Sequence, residues 1–296
     1  MNSRITTRTI PTRGPFSLEE ANGVGFGHRD EKTFDGVMRL TFTVDGDHER
    51  AAGVEVRQRG ETLDLTIHTD ADRDVVAAQV ARILSVDVDG QGFVELGLRE
   101  PVIGRLQHSA PGLRPPQFTN PFEAAAWSII SFRRSRFQGI KVRSWLNEGY
   151  GTPFDLAGQR HYAFPSPSRL LEVETIPGLP AYAVPRLHEV ARWAANGDLD
   201  VSRLVTMSPD DAMSELQRLP GIGPFYSALV VVRACGLPDV LPLIEPRSRA
   251  MIERLYGIAA PLSDEDYLQL AERWRPYRMW VTFLARAAGG RVVDPD

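Results

Sequence analysis

A short turn, Leu219-Pro220-Gly221-Ile222-Gly223, separates two helical patterns and constrains the second half of the chain more than any other segment. One helical pattern ends at Leu219, and the next begins at Pro224 and continues to about Cys235. Two glycines that flank one apolar residue let the backbone approach a ligand closely, and they leave amides free at a helix N-terminus. The turn therefore predicts an anion site, with phosphate as the natural candidate, while Ile222 anchors the turn to the protein beneath it.

A carboxylate stands at the start of the next predicted helix. Glu245 precedes Pro246, a residue type that suits the first helical position, and one further loop separates the pair from the glycine turn. The order of phosphate site, spacer and carboxylate makes residues 213–257 the predicted functional region.

Residues 111–288 resemble the helix-hairpin-helix superfamily of base-excision DNA glycosylases, and within it the bacterial 3-methyladenine DNA glycosylase II branch. The turn and the acidic position Glu245 carry the resemblance together with four other segments. These are Pro111-Gly112-Leu113-Arg114-Pro115-Pro116, Asn120-Pro121-Phe122-Glu123-Ala124, Asp239-Val240-Leu241-Pro242 and Trp274-Arg275-Pro276-Tyr277-Arg278. The resemblance implies a monofunctional DNA glycosylase of base-excision repair. Such an enzyme flips an alkylated or otherwise damaged base out of duplex DNA and hydrolyses its N-glycosidic bond.

The resemblance assigns the catalytic role to Glu245, where the family usually carries Asp. In this chemistry the sugar develops oxocarbenium character, a carboxylate stabilises it, and water attacks. Because Glu caps helices less well than Asp, the departure is compatible with altered or lost activity as well as with catalysis, and a capping or surface role stays open. Asp239 is the second candidate acid, with a role in structuring its loop as the alternative.

The scarcity of lysine predicts the reaction type. Lys32 and Lys141 are the only two lysines in the chain. Relatives that also cut the DNA strand form a Schiff base from a lysine just after the hairpin glycines, and the matching position here is Phe225. We therefore expect a glycosylase without lyase activity that leaves an abasic site.

Two segments are predicted to contact DNA. The turn supplies Leu219, Gly221, Ile222 and Gly223, and the segment after the Asn120 helix supplies Phe132, Arg133, Arg134 and Ser135. Residues 132–145 carry five positive charges and no acid, with aromatic residues between them, although a solvated helix face is the alternative. Here the sequence departs from the family pattern, and Arg133 becomes the candidate wedge, with Phe132 near the lesion.

Further expectations concern the base and a bound ion. The candidate base-pocket residues are Trp127, Phe225, Tyr277 and Trp280, each of which could equally be a core residue. The resemblance implies that the backbone carbonyls of Gln217, Leu219 and Ile222 bind a monovalent cation, Na+ or K+. No cofactor is expected to be required.

Composition and charge predict the overall organisation. The net charge is −4, with a balance of −5 in residues 1–112 and +1 in residues 113–296, so any attraction to DNA must be local. The single cysteine, Cys235, excludes an internal disulfide and a four-cysteine iron–sulfur cluster. Without an apolar signal region or a long apolar run, a soluble, cytoplasmic, nucleoid-associated monomer with no membrane contact is expected.

The predicted fold class is α+β. Alternating residues between Met38 and Ile67 predict an antiparallel sheet, and the face from Val76 to Leu84 predicts a helix against it, giving an N-terminal α+β domain over residues 1–112. The resemblance implies an all-α helix-hairpin-helix glycosylase domain over residues 113–296, in two lobes with a cleft.

Three functions are in competition. The first is a glycosylase that acts on double-stranded DNA containing a damaged base. The second is a catalytically impaired lesion-binding or DNA-architectural protein on the same fold, and Glu245 and the Phe132-Arg133 pair are what favour it. The third is an accessory domain of a nuclease or ligase, which the extent of the family likeness and the lack of a carboxylate cluster for a metal disfavour.

Overall fold

The computed structural model describes residues 4–24, 34–259 and 261–294. Within these ranges no helix combines the length and the apolar character needed to cross a membrane. The strands are β1 (Arg4–Pro11), β2 (Met38–Val44), β3 (Asp47–Arg59), β4 (Thr62–Thr69), β5 (Pro153–Leu156) and β6 (Gln159–Tyr162). The helices are α1 (Leu18–Gly23), α2 (Arg73–Ile83), α3 (Gln91–Arg99), α4 (Pro101–Ser109), α5 (Pro121–Ser131), α6 (Arg136–Tyr150), α7 (Pro167–Leu171), α8 (Ala183–Ala195), α9 (Val201–Leu204), α10 (Pro209–Leu216), α11 (Pro224–Ala234), α12 (Pro246–Tyr256), α13 (Asp264–Glu272) and α14 (Arg278–Val293).

The N-terminal part is a four-stranded antiparallel sheet in the order β1-β4-β3-β2, with α2 against it. The alternating residues Leu63, Leu65 and Ile67 of β4 are all buried on the face that α2 covers. Tight turns at Gly46 and Gly60, both with positive φ, connect β2 to β3 and β3 to β4. The predicted α+β fold class and its antiparallel sheet are confirmed.

Two groups of buried apolar residues hold the helices together. The first helical cluster contains buried residues of the helices from α5 through α11. The second contains buried residues of α3, α4, α12, α13 and α14. Helices α3 and α4 precede residue 112 in sequence, yet their apolar faces pack on the C-terminal helices rather than on the sheet. The buried cluster of the sheet and that of the C-terminal helices therefore separate near residue 87 of the chain. The domain boundary after residue 112 remains a prediction.

The second half of the chain is not all helical as expected, because β5 and β6 form a hairpin. Its turn, Ala157-Gly158, has positive φ at both residues, as two-residue hairpin turns require. The hairpin lies against the edge strand β2, where the Thr41 hydroxyl donates to the Tyr162 carbonyl oxygen at 3.0 Å. Each strand has only four residues, so their alternation is too short to distinguish from a loop.

A buried polar network joins the sheet to α5. Asn120 caps α5 by accepting from the Glu123 amide at 2.8 Å, and its own side chain donates to the Thr43 carbonyl oxygen at 2.8 Å. The Glu123 carboxylate accepts from the Thr43 amide at 2.8 Å and pairs with Arg143 of α6. The sheet thus fixes the position of α5, whose C-terminal end carries the segment at Phe132 and Arg133.

Candidate active site and nucleic-acid interface

A cleft of about 480 Å³ lies between the two helical clusters. Helix α11 forms one wall, and the N-terminus of α12 with one face of α14 forms the other. Its main apolar lining residues are Phe225, Leu229, Val232, Ile244, Met279 and Phe283. A concave, largely apolar space with a few polar groups is typical of a site for an organic ligand.

Glu245 is the carboxylate that lines this cleft. It is the N-cap of α12, and its Oε2 accepts a hydrogen bond from the Ser248 amide at 2.6 Å. The side chain is half-buried rather than buried or fully exposed. Although Glu is a weak capping residue in general, here it forms the cap while remaining at the cleft wall.

Asp239, the second candidate acid, does not line the cleft. Its two carboxylate oxygens pair with Arg275 at 2.7 Å and with Arg278 at 2.9 Å. The Arg278 guanidinium also donates to the Asp239 backbone carbonyl at 2.6 Å. Asp239 therefore links its loop to the start of α14 through two ion pairs. This is the loop-structuring role that the sequence analysis gave as the alternative to catalysis.

The glycine turn connects α10 to α11 and adopts the expected hairpin. Gly221 has φ +95°, a backbone conformation that favours glycine, and the Ile222 amide donates to the Leu219 carbonyl at 3.0 Å. The side chains of Leu219 and Ile222 are buried in the first helical cluster. Gly223 is the N-cap of α11 and has no side chain to cap it, so no side chain of the cap residue occupies the amides of the first turn after Pro224.

The segment after α5 presents an arginine in an unusual backbone conformation. Arg133 has φ +55° and is exposed, and its guanidinium lies over the Phe132 ring at 5.3 Å. Arg134 instead donates to the carbonyls of Phe132 at 3.0 Å and Gly178 at 3.2 Å. Ser135 is occupied as the N-cap of α6 in a capping box. Of this group, Arg133 is exposed and Phe132 is half-buried beneath its guanidinium, whereas Arg134 and Ser135 stabilise the loop.

The hairpin and the Arg133 loop lie next to each other. A Cβ built on Gly221 would lie 2.9 Å from Cδ1 of Ile129, one helical turn before Phe132 in α5. The hydroxyls of Ser131 and Tyr226 are 3.5 Å apart, which joins the end of α5 to the start of α11. Because α11 also forms a wall of the cleft, the hairpin, the Arg133 loop and the cleft share one side of the molecule.

Known structures with this architecture share the arrangement of these helices. The 3-methyladenine DNA-glycosylase from Archaeoglobus fulgidus superposes with a TM-score of 0.78 at 20% sequence identity, covering 95% of this chain and 98% of that chain. The probable bifunctional transcriptional activator/DNA repair enzyme AlkA of Mycobacterium tuberculosis is 27% identical over 284 residues, which is 92% of this chain and 55% of that protein. DNA-3-methyladenine glycosylase 2 of Escherichia coli is 28% identical over 182 residues, 60% of this chain and 61% of that protein.

The predicted resemblance to the helix-hairpin-helix DNA glycosylase superfamily is confirmed. No family model matches the chain. The chain spans about half the length of the Mycobacterium tuberculosis relative. The glycine turn that carried the resemblance lies between helices α10 and α11.

One of the four candidate base-pocket residues lines the cleft. Phe225 follows the hairpin on α11 and is 42% exposed. Trp127 is buried in the first helical cluster beside Gly139, and Tyr277 donates from its hydroxyl to the Asp89 carbonyl at 3.0 Å. Trp280 packs edge-on against Phe93. The structure therefore places Trp127, Tyr277 and Trp280 in the core, because their rings fill the space between helices.

Sequence reasoning missed the α14 wall of the cleft. Met279, Thr282, Phe283 and Arg286 recur at helical spacing and share one face, a signal that could have identified them. It also missed the end of α1, where Gly23 contributes to the cleft. Cys235 is buried in the first helical cluster, and burial raises the pKa of its thiol to about 12.

Proposed function

We propose that the protein is a monofunctional DNA glycosylase that removes damaged bases from duplex DNA. The observation that carries the proposal is the position of Glu245, a carboxylate at the wall of an apolar cleft on the side of the molecule where the hairpin and Arg133 lie. The names of the relatives in Archaeoglobus fulgidus and Escherichia coli, both 3-methyladenine glycosylases, support the same activity and favour alkylated bases.

Each step of the reaction has a candidate group. The free amides at Gly223 bind a phosphate, Arg133 enters the duplex as the base leaves the stack, and the base enters the cleft beside Phe225. The Glu245 carboxylate then stabilises the positive charge that develops on the sugar, and water attacks. The Ser248 amide holds Oε2, and no donor in the described part of the chain bonds to Oε1. Oε1 would therefore be the oxygen left to face the sugar.

The hairpin carbonyls are suited to a monovalent cation. Among the described residues, no backbone amide donates to the carbonyl of Gln217 or Ile222, and the Leu219 carbonyl accepts only one bond, from Ile222. Three carbonyl oxygens in one turn offer a hard cation such as Na+ or K+ its preferred ligands. The ion would bridge the turn to a DNA phosphate. Because one chain supplies the hairpin, the Arg133 loop and the cleft, the proposed unit is a monomer.

A lyase step is not part of the proposal. The cleft residues that the structure describes include arginines but no lysine, and arginine does not form a Schiff base. Lys141 lies on α6, and Lys32 lies outside the described residues. We expect borohydride to trap no covalent complex with damaged DNA, and we expect strand breaks only after heating in alkali.

A second candidate function keeps the binding surface and drops the chemistry. Glu in place of Asp at the catalytic position favours it, since Oε2 is already used to cap α12. The protein would then bind a lesion without releasing the base.

One experiment separates the two functions. The full chain is incubated with duplexes that carry alkylated, deaminated or oxidised bases, and free base and alkali-labile sites are measured. Catalytic release over many turnovers from at least one duplex supports the glycosylase. Tight binding of a damaged duplex without release supports the binding protein instead.

A further inference from the structure

Arg186 of α8 lies directly against the hairpin turn, far from it in sequence. A Cβ built on Gly221 would lie 3.1 Å from Cδ and 3.2 Å from Nη1 of Arg186. Glycine at position 221 therefore makes room for this arginine as well as permitting the positive φ of the turn. The guanidinium is consequently held beside the same turn that exposes the first amides of α11.

The arginines near the turn differ in their partners. Arg218, within the hairpin loop, pairs with Glu215 at 3.0 Å, and Arg203 also contacts Glu215 at 3.3 Å. The charges of Arg218 and Arg203 are therefore balanced locally by Glu215. Arg186 bonds to no carboxylate among the described residues, so it contributes positive charge at the turn that no neighbouring acid neutralises.

An exposed aromatic ring orients Arg186. Its guanidinium lies over the Tyr182 ring, 4.8 Å from the centroid, and Tyr182 is 54% exposed at the start of α8. Stacking on a ring restricts the planar guanidinium while its edge donors remain available. A restricted guanidinium loses less rotamer freedom when it binds an oxyanion, and it matches a phosphate with two parallel hydrogen bonds.

We propose that Arg186, held by Tyr182, is a binding site for a backbone phosphate of the DNA strand that the hairpin contacts. The inference rests on the proposed function, since it requires the protein to bind duplex DNA. The Arg186 guanidinium would add a positively charged donor from α8 to a phosphate site whose other donors are backbone amides. Such a contact increases affinity for every sequence alike, because phosphates carry no base information.

The test compares two arginines of α8 in the full chain. Binding to a short undamaged duplex is measured by fluorescence anisotropy over a series of salt concentrations for wild type, R186Q, R186K and the control R192Q. Arg192 is a matched control because it lies on the same helix and pairs with Glu189 at 2.9 Å. Thermal unfolding of each variant shows that the fold is retained.

We expect R186Q to weaken binding and to reduce the slope of log affinity against log salt by about 0.9, the value for one phosphate contact in duplex DNA. Between about 50 and 200 mM salt, wild-type affinity would then fall about 3.5-fold further than that of R186Q. R186K keeps the charge and is expected to restore the slope, and R192Q is expected to match wild type.

Two results would overturn the assignment in different ways. R186Q that binds like R192Q, with wild-type affinity and slope, would remove Arg186 from the interface and leave the proposed function intact. A folded wild-type protein that binds no duplex would overturn the proposed function together with this site.

Discussion

Helices α5 and α12 begin with the same local arrangement and differ in what surrounds it. In both, a polar N-cap residue precedes a proline and accepts a hydrogen bond from the amide three residues later, Asn120 from Glu123 at 2.8 Å and Glu245 from Ser248 at 2.6 Å. At α5 the cap is buried against the sheet. At α12 the cap residue lines the cleft between the helical clusters.

The partners of the two carboxylates follow from this difference. Glu123 is completely buried and bonds to Thr43 and Arg143, so its charge is neutralised within the protein. Glu245 bonds only to a backbone amide among the described residues, so its charge remains available to a ligand in the cleft. A capping signal therefore identifies a helix N-terminus, whereas burial and partners decide whether an acid there is neutralised within the fold or left open to a ligand.

The largest effect is expected for Glu123→Gln. The substitution leaves the Arg143 guanidinium buried without its carboxylate, and breaking a buried pair from one side costs about 3–5 kcal/mol of unfolding free energy. Urea unfolding followed by circular dichroism measures the loss. As a control, Glu189→Gln removes an exposed partner of Arg192 and is expected to cost less than about 1 kcal/mol. Equal, small losses in both variants would show that the network at α5 is not essential for stability.

Glu245→Gln tests the second of the two carboxylates, the one at the cleft. The amide oxygen can still cap α12, so stability is expected to stay within about 1 kcal/mol of wild type. Base release is expected to fall by about 10²–10³-fold, because the charge opposite the developing sugar cation is lost, while affinity for the damaged duplex stays close to normal.

Asp239→Asn is the matched control for Glu245→Gln. It removes a carboxylate charge from a brace that pairs with Arg275 and Arg278, outside the cleft. We expect it to leave base release unchanged. The reverse pattern, with release lost in Asp239→Asn and retained in Glu245→Gln, would transfer the catalytic role to Asp239.

Arg133→Ala is expected to have a smaller effect. The exposed guanidinium stacked on Phe132 would fill the gap that an extruded base leaves, so its loss is expected to reduce the extruded fraction about tenfold, equivalent to about 1.4 kcal/mol. A fluorescent base analogue opposite the lesion site reports the unstacking. Lys141→Ala on α6 is the control, and a normal fluorescence increase with Arg133→Ala would exclude the wedge role.

Local sequence patterns predicted those strands and helices whose whole pattern lies within one short segment of the chain. Alternation of apolar residues predicted β2, β3 and β4, and the glycine turn predicted the start of α11 at Pro224, whereas α10 ends at Leu216, three residues before the predicted end at Leu219. Strand β1 was missed because it is an edge strand rich in Thr and Arg, with Ile5 exposed. The packing of α3 and α4 on the C-terminal helices depends on contacts distant in sequence, which no local pattern contains.

The residues of the candidate site likewise fall into those that a local pattern identified and those that only the fold reveals. Glu245 and Phe225 were identified because each occupies a position defined relative to the hairpin, and both line the cleft. Trp127 and Trp280 could not be separated from core residues, since a large ring suits a pocket and a core equally. Arg186 carries no local signal at all, because only the fold brings α8 to the hairpin.

The smallest effect, and the finest test of the comparison, is expected for Glu245→Asp. Asp is a better N-cap than Glu, so the substitution is expected to stabilise the protein by about 0.5 kcal/mol.

Glu245→Asp also shortens the side chain by one methylene and moves the carboxylate by about 1.5 Å. A displacement of about 1 Å can change a rate by about 10²-fold, so the direction of the change reports which residue the cleft geometry fits. We expect base release to be retained or raised up to about tenfold, measured as turnover on the duplex from which wild type releases base fastest. A large loss would show that the cleft is adjusted to Glu. Release by Glu245→Asp from a protein that is otherwise inert would show that Glu245 caps α12 in the natural chain without serving catalysis.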